Sequence, residues 1–163
     1  MKIKIFNKKG FTLIELLIVI AIIGVLATLL MVNFVGVRER ARDAQRKSDI
    51  RQIQSALEMY RADQGVYPAS GINAGDFPTT CGSSFVSPDG AITYMTKVPC
   101  DPFGINYYNT GNYLYQDKNL KAAYDIQACL ENAGDKQGTT TPTLGTGSGC
   151  TSSPPTYFVV SNP

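Results

Sequence analysis

At 163 residues, 44% apolar and 17% charged, the chain has the composition of a folded protein with room for one globular domain, which argues against wholesale disorder. Its net charge of +2 comes from Lys2, Lys4, Lys8 and Lys9. Without these four, the 15 basic residues no longer outnumber the 13 acidic ones, so no general nucleic-acid surface is indicated. Histidine is absent, which excludes Ser-His-Asp and Cys-His nucleophiles and His-ligated metal sites.

Residues 1–10 form a basic leader ending at Gly10. From Phe11 the chain turns apolar, and Leu16 to Val37 carries no charge. That stretch spans about 33 Å as a helix, enough to cross a hydrocarbon core of about 30 Å. A secretory signal would have a shorter apolar core followed by a small-residue cleavage site, and neither is present. One carboxylate, Glu15, sits just inside the apolar start. A charge there costs about 2.5–3.5 kcal/mol even on lenient insertion scales, so it needs a partner.

The pattern becomes amphipathic beyond Val37. Ile50, Ile53, Leu57 and Tyr60 fall on one stripe, and Gly65 with Pro68 marks a stop. One helix is therefore expected from Phe11 to about Asp63, apolar over 11–37 and amphipathic over 38–65. Arg38, Arg40, Arg42, Arg46, Lys47 and Arg51 crowd its middle, interleaved with Glu39, Asp43 and Asp49. Three uses stay open: a basic collar for lipid headgroups, a solvated face with pairs such as Asp43–Lys47, or, least favoured, DNA binding.

Residues 66–163 read as a head of loops and short strands. Ala69 to Asp89 is expected to be a long connection. Strands are expected at Tyr107-Tyr108, Tyr113 to Tyr115, Ala122 to Leu130 and Tyr157 to Val160, laid as an antiparallel sheet on the helix stripe. Cys81, Cys100, Cys129 and Cys150 include no Cys-x-x-Cys pair, which disfavours zinc and fits two disulfides formed outside the cytoplasm. Of the three connectivities, Cys81–Cys100 and Cys129–Cys150 are favoured because each closes a loop of about 20 residues. Thr139 to Pro155 is expected to be a surface loop, with O-linked sugar the alternative. The tyrosines are expected to be half-buried sheet residues sooner than an adhesive surface.

Lys8-Lys9-Gly10-Phe11-Thr12-Leu13-Ile14-Glu15 and the apolar run after it resemble the N-terminus of type IV prepilins and type II secretion pseudopilins. Leu57 to Pro68, Tyr94 to Gly104 and Ala123 to Ile126 resemble the major pseudopilins of that group. The resemblance implies an α+β type IV pilin fold, with one long helix packed on a small antiparallel sheet and disulfide-closed loops. It implies cleavage by a membrane-embedded prepilin peptidase after Gly10 and N-methylation of Phe11. It also implies assembly into a helical homopolymer by an inner-membrane platform and its ATPase. Glu15 of one subunit would then pair with the Phe11 amine of another and set the axial register. Before assembly the precursor would sit in the cytoplasmic membrane with the head outside, and after it in an extracellular filament. Many pilins carry a helix-breaking proline where Val32 stands, so Gly24 and Gly36 are the candidate weak points.

A surface pilin serving attachment, motility or DNA uptake is expected, with nucleic acid only as a ligand of the pilus. A type II secretion pseudopilin is the alternative, and a membrane-anchored adhesin or binding module the second. Family members commonly bind calcium in an acidic loop. Asn132 to Gly149 offers only Asp135, so no cofactor or metal is expected. No phosphate-binding glycine loop or carboxylate pair suggests an enzyme.

Overall fold

The computed structural model describes residues 10–71, 75–78, 80–103, 112–140 and 155–162. It divides into two compact units, Met1–Val37 and Arg38–Pro163. A 52-residue helix, α1, runs Leu13–Gln64, and the unit boundary falls within it. No proline interrupts it, and it stays helical through Gly24 and Gly36. It stops at Gly65, whose φ of +76° lies in the left-handed region that only glycine enters freely. The Gly65 N–H closes the last turn on the Arg61 carbonyl at 2.8 Å. Pro68 then holds Tyr67 extended and ends the helix direction.

Among the described residues the second unit adds seven strands. β1 (Ser70–Gly71) pairs in parallel with β2 (Phe77–Pro78), and β3 (Phe85–Val86) pairs antiparallel with β4 (Thr93–Met95). The main sheet is an antiparallel meander of β5 (Leu114–Lys118), β6 (Ala123–Leu130) and β7 (Thr156–Asn162), with β6 central. The last two strands lie within two residues of their expected bounds, and β5 starts one residue later and runs three residues further than expected. The expected long connection from Ala69 to Asp89 instead contains β1, β2 and β3. Those pairs are too short for any alternation to register in sequence. Tyr107-Tyr108 lies outside the described residues, as does most of Thr139 to Pro155.

One hydrophobic cluster joins helix and sheet. Ile50, Ile53, Leu57 and Tyr60 are buried with Tyr124, Ile126, Ala128 and Leu130, the alternate residues of β6. Tyr60 stacks on Phe85 at 5.3 Å and meets Tyr94 edge-on at 5.2 Å. Tyr67 meets Tyr124 edge-on at 4.7 Å. The described tyrosines are therefore chiefly core residues, each pair adding about 0.5–1.5 kcal/mol beyond its buried area. The opposite face of β6 is buried too, and Asp125 on that face pairs with Lys118.

The β5–β6 hairpin turns through three non-glycine residues of positive φ: Asn119 (50°), Leu120 (56°) and Lys121 (67°). Each left-handed residue costs about 1–2 kcal/mol. The turn is held by Ala122 N–H on the Asn119 carbonyl at 3.2 Å and by Tyr67 N–H on the Lys121 carbonyl at 2.9 Å.

Candidate assembly segment and the ion cluster of the head

The first unit presents its chemistry openly. Gly10 and Phe11 are exposed, Phe11 at 91%, so the bond between them is accessible to a protease. Thr12 is the residue before the helix. Its N–H and its hydroxyl both donate to the Glu15 carboxylate, at 2.8 and 2.6 Å. The Glu15 N–H returns a bond to the Thr12 hydroxyl at 3.3 Å. This is a reciprocal capping box, and it satisfies donors that the first helical turn leaves unpaired. Thr12-Leu13-Ile14-Glu15 has the spacing of that motif, so the cap is signalled in the sequence itself. In this uncleaved chain the Phe11 nitrogen is an amide, so Glu15 takes its own cap.

After the cap, Leu13–Met31 is long and apolar enough to cross a membrane, and its side chains are exposed all round. Burying one such Leu, Ile or Val is worth about 1.5–3 kcal/mol, so the segment needs lipid or other helices around it. The side chains of residues 32–35 lie outside the description.

The second unit turns its charges inward. Arg46 is fully buried. Its Nε and Nη2 donate to Asp101 at 2.6 and 3.0 Å, and its Nη1 donates to Asp43 at 2.8 Å and Glu131 at 2.7 Å. Asp43 also accepts the Glu131 and Asn132 N–H groups, both at 2.9 Å. Arg42 forks onto Glu131, and Lys47 reaches Asp135 at 2.6 Å. Burial disfavours the Arg46 charge, but the three carboxylates outweigh it and hold the guanidinium firmly protonated. Burial likewise opposes the Glu131 charge, yet Arg42 and Arg46 keep its carboxyl below the usual range.

This corrects the expectations for part of the charged segment. Arg42, Arg46 and Lys47 do not form a headgroup collar, and the Asp43–Lys47 pair is replaced by Asp43–Arg46 and Lys47–Asp135. Arg38, Arg40 and Arg51 stay exposed. A neighbouring polar pair completes the arrangement: the buried Tyr113 hydroxyl donates to Asp49 at 2.7 Å.

Asp135, the one acid expected in the loop, already holds a cation in Lys47. Among the described residues no group of three potential metal ligands comes together. Residues 141–149 of the loop lie outside the description. Cys81 and Cys100 form a disulfide across a sequence separation of 19. Cys129 is disulfide-bonded, and Cys150 lies outside the described residues.

Residues 5–31 match the prokaryotic N-terminal methylation motif, and residues 33–141 match type II secretion system protein G. The chain is 37% identical to the type II secretion system core protein G of Pectobacterium carotovorum subsp. carotovorum, over 63% of this chain and 66% of the relative. It is 35% identical to that of Escherichia coli K12 over 74% and 79% of the two chains, and 31% identical to that of Pseudomonas aeruginosa over 74% and 81%. The chain thus spans just under two thirds of the length of the Pectobacterium relative. No solved structure matches it.

Proposed function

The chain belongs to the type II secretion system protein G family, and from that premise we propose that it is a pseudopilin, a structural filament subunit and not an enzyme. The observation that carries this reading is the exposed apolar Leu13–Met31 helix, which lies within the methylation-motif match over residues 5–31. A helix of that kind holds the precursor in the cytoplasmic membrane and later packs against its copies. The relatives share the name of a secretion-system core protein. The surface pilin, expected from the sparse acidic loop and the cysteines, therefore takes second place to the pseudopilin alternative.

In this proposal a prepilin peptidase cuts after Gly10 and the new amine of Phe11 is methylated. Lateral packing of apolar helices supplies cohesion. Glu15 supplies register, because a charge pair in low dielectric depends steeply on separation. Assembly has to draw the Glu15 carboxylate from its Thr12 cap toward the Phe11 amine of a neighbour. A partner ATPase provides the energy.

The test is direct. Mass spectrometry of the mature chain is expected to find an N-terminus at methylated Phe11. Glu15→Ala is expected to be cleaved normally but to yield at least tenfold fewer filaments. A chain that keeps Met1, or a Glu15→Ala variant that assembles like the wild type, would refute the mechanism.

A further inference from the structure

Of the three carboxylates on Arg46, Asp43 sits on α1 and Glu131 directly follows β6, so regular backbone bonding fixes both. Asp101 supplies the other two of the four bonds from residues 96–103, which follow β4 and adopt neither helix nor strand. Pro99 and Pro102 bracket Cys100-Asp101 and have no N–H to donate, so this piece cannot join a ladder along its length. Its nearest backbone cross-links run from Val98 N–H to the Ser83 carbonyl at 2.8 Å and from Gly82 N–H to the Val98 carbonyl at 2.7 Å. Both lie three residues before Asp101. The Cys81–Cys100 disulfide joins the same two segments at the residue next to the carboxylate.

The disulfide and the carboxylate it adjoins have different surroundings. Cys100 is exposed and Cys81 half-buried, whereas Asp101 is 3% exposed and Arg46 is fully buried. A redox partner therefore reaches the disulfide without entering the ion cluster, and such access is one of the terms that set the rate of thiol–disulfide exchange.

We propose that the Cys81–Cys100 disulfide is a redox-sensitive latch on the joint between α1 and the head, closed by oxidation and open while both cysteines are thiols. Closing it takes a disulfide donor, either a protein disulfide or oxidised glutathione. One cysteine thiolate attacks the donor, whose S–S bond breaks as a mixed disulfide forms. The other cysteine thiolate attacks the mixed disulfide and makes the Cys81–Cys100 bond. The donor leaves as two thiols, which take up the two protons that the cysteines lost, so the chain is oxidised by two electrons and the donor reduced by two. With the bond made, Asp101 is held against Arg46. Without it, two of the four Arg46 bonds hang on a piece tied no nearer than Val98. The latch goes beyond the filament reading and does not depend on it.

The test uses the full-length chain in detergent. Linkage makes the effect reciprocal: a disulfide that steadies Asp101 on Arg46 is itself steadied by Arg46, by the same factor. Wild type, Arg46→Met and Asp101→Asn are equilibrated in glutathione redox buffers, and the Cys81–Cys100 pair is scored by alkylation and mass spectrometry. Arg46→Met is expected to be half-reduced at a ratio of squared reduced to oxidised glutathione about tenfold lower than wild type. Asp101→Asn, the milder change to the same contact, is expected to shift the ratio in the same direction by less. In nuclear magnetic resonance, Cys81→Ser with Cys100→Ser is expected to speed exchange of the Arg46 Nε proton about tenfold while the β6 amide protons keep their protection. An unshifted ratio in both Arg46→Met and Asp101→Asn would overturn the latch. So would Arg46 Nε exchange that stays slow in the serine pair. Exchange that quickens only together with the β6 amides would overturn it too, since a disulfide that merely stabilises the whole head gives that result.

Discussion

Arg46→Met is the most informative perturbation of the head. The side chains are close in length, but methionine removes four charge-assisted hydrogen bonds and leaves the partners behind. The partners differ in what they keep. Asp43 retains the Glu131 and Asn132 N–H groups, and Glu131 retains Arg42. Among the described residues Asp101 loses both guanidinium bonds and keeps the Phe103 N–H at 2.8 Å, with its side chain still fully buried. Removing one member of a buried ion pair costs about 3–5 kcal/mol. The surviving partners of Asp43 and Glu131 place the loss near 3 kcal/mol, or about 10 °C for a domain of this size. Thermal unfolding of the oxidised full-length chain in detergent, followed by tyrosine near-ultraviolet circular dichroism, measures it. Arg46→Lys keeps the charge without the fork and is expected to lose about half as much. Asp101→Asn in the Arg46→Met background is expected to recover part of the loss, because the abandoned charge is then gone. A loss below about 1 kcal/mol for Arg46→Met, or no recovery from Asp101→Asn, would show that the cluster does not hold helix to head.

Acidic groups of the head have opposite pH signatures. Glu131 and Asp135 are buried against their charge, yet Arg42 with Arg46 and Lys47 respectively hold their carboxyls below the usual range. A depressed folded pKa contributes stability that is present above the unfolded values of about 4.3 and 3.9 and is lost as pH falls through the folded ones. Melting temperature is therefore expected to drop between about pH 5 and pH 3. Asp49 is raised instead, by burial first and only partly offset by the Tyr113 hydroxyl. Its contribution is complete below about pH 3.9 and lost as pH rises through its folded value, so Asp49→Asn is expected to gain relative stability above about pH 5. A pH-independent difference between Asp49→Asn and wild type would contradict this. Replacing Cys81 and Cys100 by serine opens a loop of about 20 residues and is expected to cost about 3 kcal/mol in urea titration, with wild type under reductant moving in the same direction. Gly138→Ala places a Cβ 2.2 Å from Thr156 Cγ2 and 3.3 Å from Leu130 Cδ1. It is expected to destabilise by about 1–3 kcal/mol through displacement of the start of β7, measured by the same titration.

Local pattern alone determined a good deal of this protein. The apolar run and the Gly65–Pro68 stop were legible because each is written in consecutive residues. The stripe Ile50, Ile53, Leu57, Tyr60 was legible because a helix repeats every 3.6 residues, and all four are indeed buried. β6 and β7 were legible as apolar runs bounded by turns. The Thr12–Glu15 cap was equally local, three residues apart, and was missed only because another partner for Glu15 was in view. The tertiary structure decided where the charges go. Arg46 meets Asp101 and Glu131 from 55 and 85 residues away, and Lys47 meets Asp135 from 88. No periodicity encodes such pairs, since a charged side chain looks the same in sequence whether water or a buried carboxylate receives it. Only the packed head brings the carboxylates to Arg46 and withdraws it from solvent, so a segment that reads as a basic collar becomes the bond between helix and head.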